Sequence, residues 1–418
     1  MVSIIGPLTA LLLSAGIILA GNGLEGVLLP LRGAIQGFGT IEIGLIGSAY
    51  HGGLMIGCLI CPRIIGRVGH IRAFAVFTAI ATMSPLIEAI WPMPPVWWAF
   101  RCLTGVCVAG ILNTVESWMT SVATNENRGQ VMSIYTIVNF GSVTVGQQLI
   151  NVSDPLGFQL FSLVAILFSF AAVPLALTLT PHPPAPRMPR LRIGQIYRVS
   201  PAAVAGCFGA GFANGAFWSL APVYAKDSGI PIGLIPLFIS LVVIGGALAQ
   251  WPMGRISDRI DRRAVQIALC LWSAATAIAM ITLAGEETTP RLALAWLFGF
   301  GALPVYWVSF AHANDLAEPG EAVDVSSSLL LLFAMGAIIG PVLAALAMRF
   351  TGPDALFIHT ACVHVVVALV VAYRMTRRAP LPPRLRIAYE ALPKSNTPAG
   401  FEKAAGQGGK KRGPDAPE

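Results

Sequence analysis

Residues 231–284 read PIGLIPLFISLVVIGGALAQWPM (231–253), GRISDRIDRR (254–263) and AVQIALCLWSAATAIAMITLA (264–284). Two apolar runs bracket a short loop that holds Arg255, Asp258, Arg259, Asp261, Arg262 and Arg263. Twenty helical residues span about 30 Å, the thickness of a bilayer's hydrocarbon core. Each run therefore predicts a membrane-crossing segment, and the charged loop between them a turn at the surface. The segments must be helices, because backbone polar groups in lipid need partners within their own segment. A closed β-barrel is excluded, since its strands would be about ten residues long and alternate in polarity.

The same pattern repeats in both directions along the chain. It predicts helices over 5–31, 43–63, 73–92, 96–120, 130–151 and 156–180, then over 202–225, 231–253, 264–284, 291–313, 326–348 and 354–375. Composition agrees: of 418 residues 55% are hydrophobic and 11% charged. Soluble domains carry about 25% charged residues. The fold class expected is an all-α membrane protein of twelve transmembrane helices.

The formal net charge of +7 points to topology and not to nucleic acid. With the N-terminus placed in the cytoplasm, most of the 27 Lys and Arg residues fall on the inner side. They sit near Arg63, Arg67 and Arg72, at Arg128, over 187–198, over 255–263 and after 374. Only Arg32, Lys226, Arg291 and Arg349 fall outside, and Arg101 lies within a helix. Such asymmetry places both termini inside. The first helix, flanked only by Arg32, gives a contrary hint that the other loops outweigh. The seven cysteines lie in apolar runs; Cys58 and Cys61 form a CxxC with no second pair to complete a zinc site. The first twenty residues lack the basic start of a signal peptide and read as half of helix one.

Residues 181–201, rich in Pro and Arg, read as a cytoplasmic linker between halves 1–180 and 202–375. Residues 376–418 are polar and basic and read as a disordered cytoplasmic tail. The halves echo each other 192 residues apart: Asn22-Gly23 and Pro30 match Asn214-Gly215 and Pro222, and Arg63 and Arg67 match Arg255 and Arg259. Parallel repeats of this kind build some secondary transporters, with the substrate site between the halves.

The loop Gly254-Arg255-Ile256-Ser257-Asp258-Arg259-Ile260-Asp261-Arg262-Arg263 resembles the G-x-L-x-D-R-x-G-R-R pattern of the major facilitator superfamily, with Asp261 in place of the second glycine. The first-half copy, Pro62 to His70, has Gly66 where the aspartate belongs. Arg101-x-x-x-Gly105 resembles the superfamily's fourth-helix motif. Val115-Glu116-Ser117, Asn127-Arg128-Gly129, Gly146-Gln147, Trp251 to Arg255 and Gly340-Pro341 are similar to its YcaD-type branch, over nearly the whole chain to about residue 375. The resemblance implies a transporter fold with the loop as an inner gate. Asp258 would accept hydrogen bonds from a neighbouring helix end and the arginines would pair with acids across the bundle. The gating residues implied are Arg67, Glu116, Arg128, Gly254, Arg255, Asp258, Arg259 and Arg263, with Glu116 pairing with Arg67 or Arg128.

Glu25 and Arg101 lie at similar depths from one face, on helices that line the cavity in this family. A buried carboxylate beside such a cation can alternate between paired and protonated states, the chemistry that proton coupling needs; a static ion pair is the alternative. His51, with an ordinary pKa near 6.5, is a second candidate proton carrier. Asn22, Gln147, Asn214, Trp218 and Tyr306 lie at mid-membrane depth and are candidate substrate contacts, as is Asn139; interhelical hydrogen bonding and packing is the alternative. Glu88 reads as interfacial, and the loop Asp315, Glu318, Glu321 and Asp324 as a solvated turn. Gln147 after Gly146, where drug antiporters continue with proline, disfavours drug efflux.

These observations predict a proton-linked secondary transporter of a small solute: a monomer in the bacterial inner membrane, not an enzyme, with no cofactor, no metal and no nucleic acid. Multidrug efflux, or a sensor or assembly factor that moves nothing, are the rivals. No Walker A pattern supports an ATP-driven pump.

Overall fold

The computed structural model describes residues 2–123, 128–177, 193–285, 287–317 and 321–377, and contains helices and no strand among them. In order they are α1 (Val2–Ile35), α2 (Thr40–Val68), α3 (His70–Ile90), α4 (Pro94–Val122), α5 (Arg128–Gln148), α6 (Gln159–Phe170), α7 (Ala172–Ala176), α8 (Ile193–Val199), α9 (Pro201–Asp227), α10 (Ile235–Arg259), α11 (Arg262–Thr282), α12 (Thr288–Ala302), α13 (Pro304–Asp315), α14 (Ala322–Thr351) and α15 (Ala355–Arg377). Most run a few residues past the expected ends. Ten spans among the described residues are long and apolar enough to cross a membrane, with α6–α7 and α12–α13 each forming one. α5 and α9 are of comparable length, at 21 and 27 residues, but are diluted by polar residues in α5 and by Gly, Pro and Asn214 in α9. The chain is an all-helical, multi-pass membrane protein. Most of the expected 181–201 linker and nearly all of the 376–418 tail lie outside the described residues.

Local chemistry sets the breaks. Pro304 cannot donate a backbone hydrogen bond, so the α12 ladder stops at Ala302 and α13 starts afresh. Ser200 caps α9 by accepting from the Ala203 amide at 3.3 Å, with Pro201 in the first turn, where its missing N–H costs nothing.

The repeat has a packing meaning. A methyl group on Gly53 of α2 would stand 1.9 Å from the Cys102 carbonyl of α4, and one on Gly105 of α4 would stand 2.3 Å from the Tyr50 carbonyl. In the second half Gly245 of α10 meets the Trp296 carbonyl of α12 at 2.1 Å, and Gly299 meets the Val242 carbonyl, also at 2.1 Å. Gly53 and Tyr50 are 192 residues before Gly245 and Val242. The small residues of α5 and α14 behave alike: Gly146 faces the Ala20 carbonyl and Gly340 the Phe212 carbonyl, each at 2.0 Å. Glycine at these positions lets backbones touch, which is how helices associate where lipid supplies no hydrophobic drive. Thus α2 packs on α4 as α10 packs on α12, and α1 on α5 as α9 on α14.

Across the molecule α1, α2 and α5 meet α9, α10 and α14. The polar links lie at the end opposite the arginine-rich loops. Ser48 donates to the Ile338 carbonyl at 2.6 Å. Ser240 donates to Gln147 and accepts from Gln148, both at 2.8 Å. Asn151 donates to the Gly233 carbonyl at 3.2 Å. Gly44 and Gly47 let α2 close on Pro341 and Ser219 there.

Candidate functional site

A cavity of about 280 Å³ lies where these helices face each other. Its wall runs from Ile46 to Leu59 on α2 and from Ile239 to Gln250 on α10, so it extends from the closed end toward the arginine-rich end. Asn22, His51, Arg101, Asn139, Gln147 and Trp218 line it. Asn214 and Tyr306 do not line it, a correction to the sequence reading. Both are buried, and Tyr306 packs against Trp307, Phe310 and Phe333. Trp307, the next residue along α13, reaches the cavity in its place. One residue is 100° of helix, more than sequence depth alone resolves. Tyr50, Ser219, Gln250 and Ser327 also line the wall. Gln250, a lone amide in the apolar run of α10, was open to detection on that ground.

Arg101 and Glu25 form an ion pair, with Glu25 fully buried and Arg101 5% exposed. Tyr50 lies under the guanidinium, 4.1 Å from ring centroid to Cζ, and its hydroxyl is hydrogen-bonded to Asn22. Arg101 is thus held between a carboxylate, an aromatic face and the cavity. The expectation for Glu88 fails. It is fully buried, not interfacial, and its carboxyl lies within hydrogen-bonding reach of Glu25. Its place near the end of α3 suggested the interface, but α4 folds back over it and Trp97 donates to its backbone carbonyl at 2.9 Å. His51 makes a hydrogen bond with the Gly47 carbonyl at 2.9 Å and meets Tyr50 edge-on at 5.5 Å.

At the arginine-rich end a loop arginine pairs with an acid of another helix. The buried hub is Arg262, 1% exposed. It donates from Nε to Asp315 at 2.7 Å and from Nη1 to Ser257 at 3.0 Å, and pairs with Asp258 at 3.1 Å. Asp315 is therefore buried in an ion pair and is not part of a solvated turn. Arg263 turns back on Asp261, donating from Nη2 at 2.8 Å. Asp261 caps α11 by accepting from the Arg263 amide at 2.9 Å, a use for an acid where the motif has glycine. Burial alone would raise the Asp261 carboxyl, but hydrogen bonds from the Arg263 side chain and backbone outweigh it and hold the group below the usual aspartate range. Gly254 is buried, Arg255 lies over the Trp251 ring at 4.2 Å, and Arg259 is exposed. Glu116 is buried and accepts from the Tyr135 hydroxyl at 3.0 Å. Among the described residues Arg67 is exposed and forms no ion pair with it. The Arg128 side chain lies outside the described residues.

A bundle of membrane helices built around a partly polar central cavity, closed at one end, has the form of a solute carrier. The chain matches the Major Facilitator Superfamily over residues 11–235 and 203–402 and belongs to that family of transporters. It is 27% identical to the MFS-type transporter YcaD of Salmonella newport over 349 residues, 82% of this chain and 89% of that one. Its fold is similar to that of the nucleoside transporter NupG, with TM-score 0.71 and 13% identity over 89% of this chain and 100% of that one. It is also similar to a bacterial homologue of the human lysosomal transporter Spinster in an inward-facing, occupied conformation, with TM-score 0.72 and 13% identity over 91% and 97% of the two chains.

Proposed function

We propose that the protein is a secondary active transporter that couples the movement of one small polar or amphipathic solute to protons. In this reading twelve helices form two six-helix bundles, residues 1–180 and 202–375. α5 and α9 join the ten strongly apolar spans. The matched glycine contacts, 192 or 194 residues apart, support that division. Both termini are cytoplasmic in the inner membrane, so the closed end faces outward and the cavity opens to the cytoplasm. Alternating access rocks the bundles about the cavity, breaking Ser48–Ile338 and Gln147–Ser240 as the outer end opens.

The observation that carries the proposal is the buried Glu25–Arg101 pair at the cavity wall. An intramembrane ion pair is costly to maintain and marks an ion or substrate path by default. Protonation of Glu25 releases Arg101 toward the cavity, so the proton changes what the solute meets. Leu, Val, Ile, Trp and Phe side chains form most of the apolar wall, with Asn22, Asn139, Gln147 and Gln250 as polar points, which suits a solute with an apolar body and a few hydrogen-bonding groups. The test is flux in proteoliposomes with an imposed pH gradient against a mixed metabolite pool read by mass spectrometry. Solute accumulation that follows the gradient supports the reading; equal uptake with and without the gradient contradicts proton coupling.

A further inference from the structure

Three ionisable side chains meet inside the first half of the molecule: Glu25 on α1, Glu88 on α3 and Arg101 on α4. Neither carboxyl is exposed to solvent, and the guanidinium is 5% exposed. Arg101 pairs with Glu25, while Glu88 lies against the Glu25 carboxyl with no cation of its own. Among the described residues, both Glu88 oxygens and Glu25 Oε1 are buried without a donor. The other ionisable groups nearby have partners elsewhere: on α1, Arg32, two turns past Glu25, donates to the Pro155 and Gly157 carbonyls. On α2, Tyr50 stacks on Arg101 and His51 is turned to the Gly47 carbonyl. On α5, Tyr135 is bound to Glu116. On α9, Tyr224 packs on Phe357 and Lys226 pairs with Asp227. α6 and α7, which also pack on α3, carry no ionisable side chain.

Charge counting then decides the protonation. Two ionised carboxylates against one guanidinium leave a net buried negative charge, and every orphan oxygen stays unsatisfied. One proton between the carboxyls makes the cluster neutral and joins Glu25 Oε1 to one Glu88 oxygen as O–H···O⁻, engaging two of the three orphan oxygens, the arrangement that two carboxyls sharing a site adopt. The second half shows what the fold does without this function. Glu25 and Glu88 correspond, 192 residues on, to Phe217 and Met280, both buried, and Phe217 packs among Phe238, Phe298 and Phe357. Packing needs only apolar side chains here, so the acids serve something else.

We propose that Glu25 and Glu88 form one proton-binding site, a carboxyl pair that holds a shared proton beside Arg101, and that this pair is the coupling site. The inference deepens the proton-coupled reading above and rests on it. Glu88 stands two residues from the end of α3, on the side where the cavity is closed. The pair therefore lies between the cavity and the outer surface, where a proton from outside reaches Glu25 by way of Glu88.

The test is infrared difference spectroscopy of the whole protein reconstituted in lipid, following the carbonyl stretch of protonated carboxyls through H/D exchange. Wild type at pH 7 is expected to show one buried protonated-carboxyl band. Glu88→Gln should remove it, because Glu25 alone stays ionised against Arg101. Glu25→Gln should remove it as well, because Glu88 then takes Arg101 as its partner. A band lost in Glu88→Gln but kept in Glu25→Gln would mean an isolated neutral Glu88 and overturn sharing, as would a wild type with no such band. Glu88→Asp keeps a carboxyl and should restore the band, which separates lost chemistry from lost fold. The spectrum reads the pair whether or not any solute moves, so failure of the transport reading would appear in the flux assay alone.

Discussion

Replacing Asp315 with Asn should destabilise the protein more than replacing Asp258 with Asn, although Asp258 is the aspartate that the loop motif marks. Asp315 is 5% exposed and accepts from Arg262 Nε at 2.7 Å and Nη2 at 3.4 Å, a two-pronged contact closed off from solvent. Removing Asp315 leaves the buried Arg262 with only the partly exposed Asp258 as its charge partner, and breaking a buried pair costs up to about 3–5 kcal/mol. The Asp258 side chain is 33% exposed and sits one turn before Arg262 on the same hairpin. Pairs of that exposure and spacing contribute about 0.3–1 kcal/mol. The two variants should therefore differ by up to about 2–4 kcal/mol. The assay is chemical unfolding in detergent, followed by the labelling of Cys207 and Cys270, which are free and buried in the second half. Arg262→Met with Asp315→Leu should recover most of the loss, since an apolar pair of similar volume has no charge to strand. An Asp258→Asn loss equal to or larger than that of Asp315→Asn would refute the placement of Asp315 in the core, as would a double variant as unstable as the sum of the singles.

Two further outcomes follow from the geometry. Gly47→Leu would drive a side chain into Ser219, whose Oγ is 1.7 Å from the position of a methyl group on Gly47. The closed end should be wedged apart, and spin labels on α2 and α14 at that end should report a longer distance than in wild type; an unchanged distance would contradict the close approach. Asp261→Ala should cost about 0.5–2 kcal/mol through loss of the α11 cap. Because hydrogen bonds hold the Asp261 carboxyl below its usual value near 3.8, that contribution is complete above this value and is lost as pH falls through the lower folded-state value. Wild type and variant should differ in unfolding midpoint at pH 6 and converge at the acid end, and a gap that persists below that range would contradict the cap.

Much of this was legible in the sequence because membrane helices write themselves in long apolar runs. The repeat could be read for the same reason that it exists: Asn22-Gly23 and Asn214-Gly215 mark where α1 and α9 press against α5 and α14, and only glycine fits there. The Glu25–Arg101 pair was also accessible, since charges in an apolar run are rare and equal depth limits the partners. Glu88 was missed because distance from a helix end measures depth and not exposure; α4 covers that end of α3. Asp315 was missed because a run of acids between helices looks like a turn, and only the path of α13 beside α11 brings Arg262 to it. Tyr306 and Trp307 are adjacent, and hydropathy alone did not settle which of them faces the cavity.

The most direct test of the account is the accumulation of solute in proteoliposomes under an inward pH gradient, comparing wild type with Glu25→Gln at matched orientation and unfolding midpoint. The account predicts accumulation that tracks the gradient in wild type and is lost in the variant. Gradient-driven accumulation of equal size in both would contradict the claim that Glu25 carries the coupling proton.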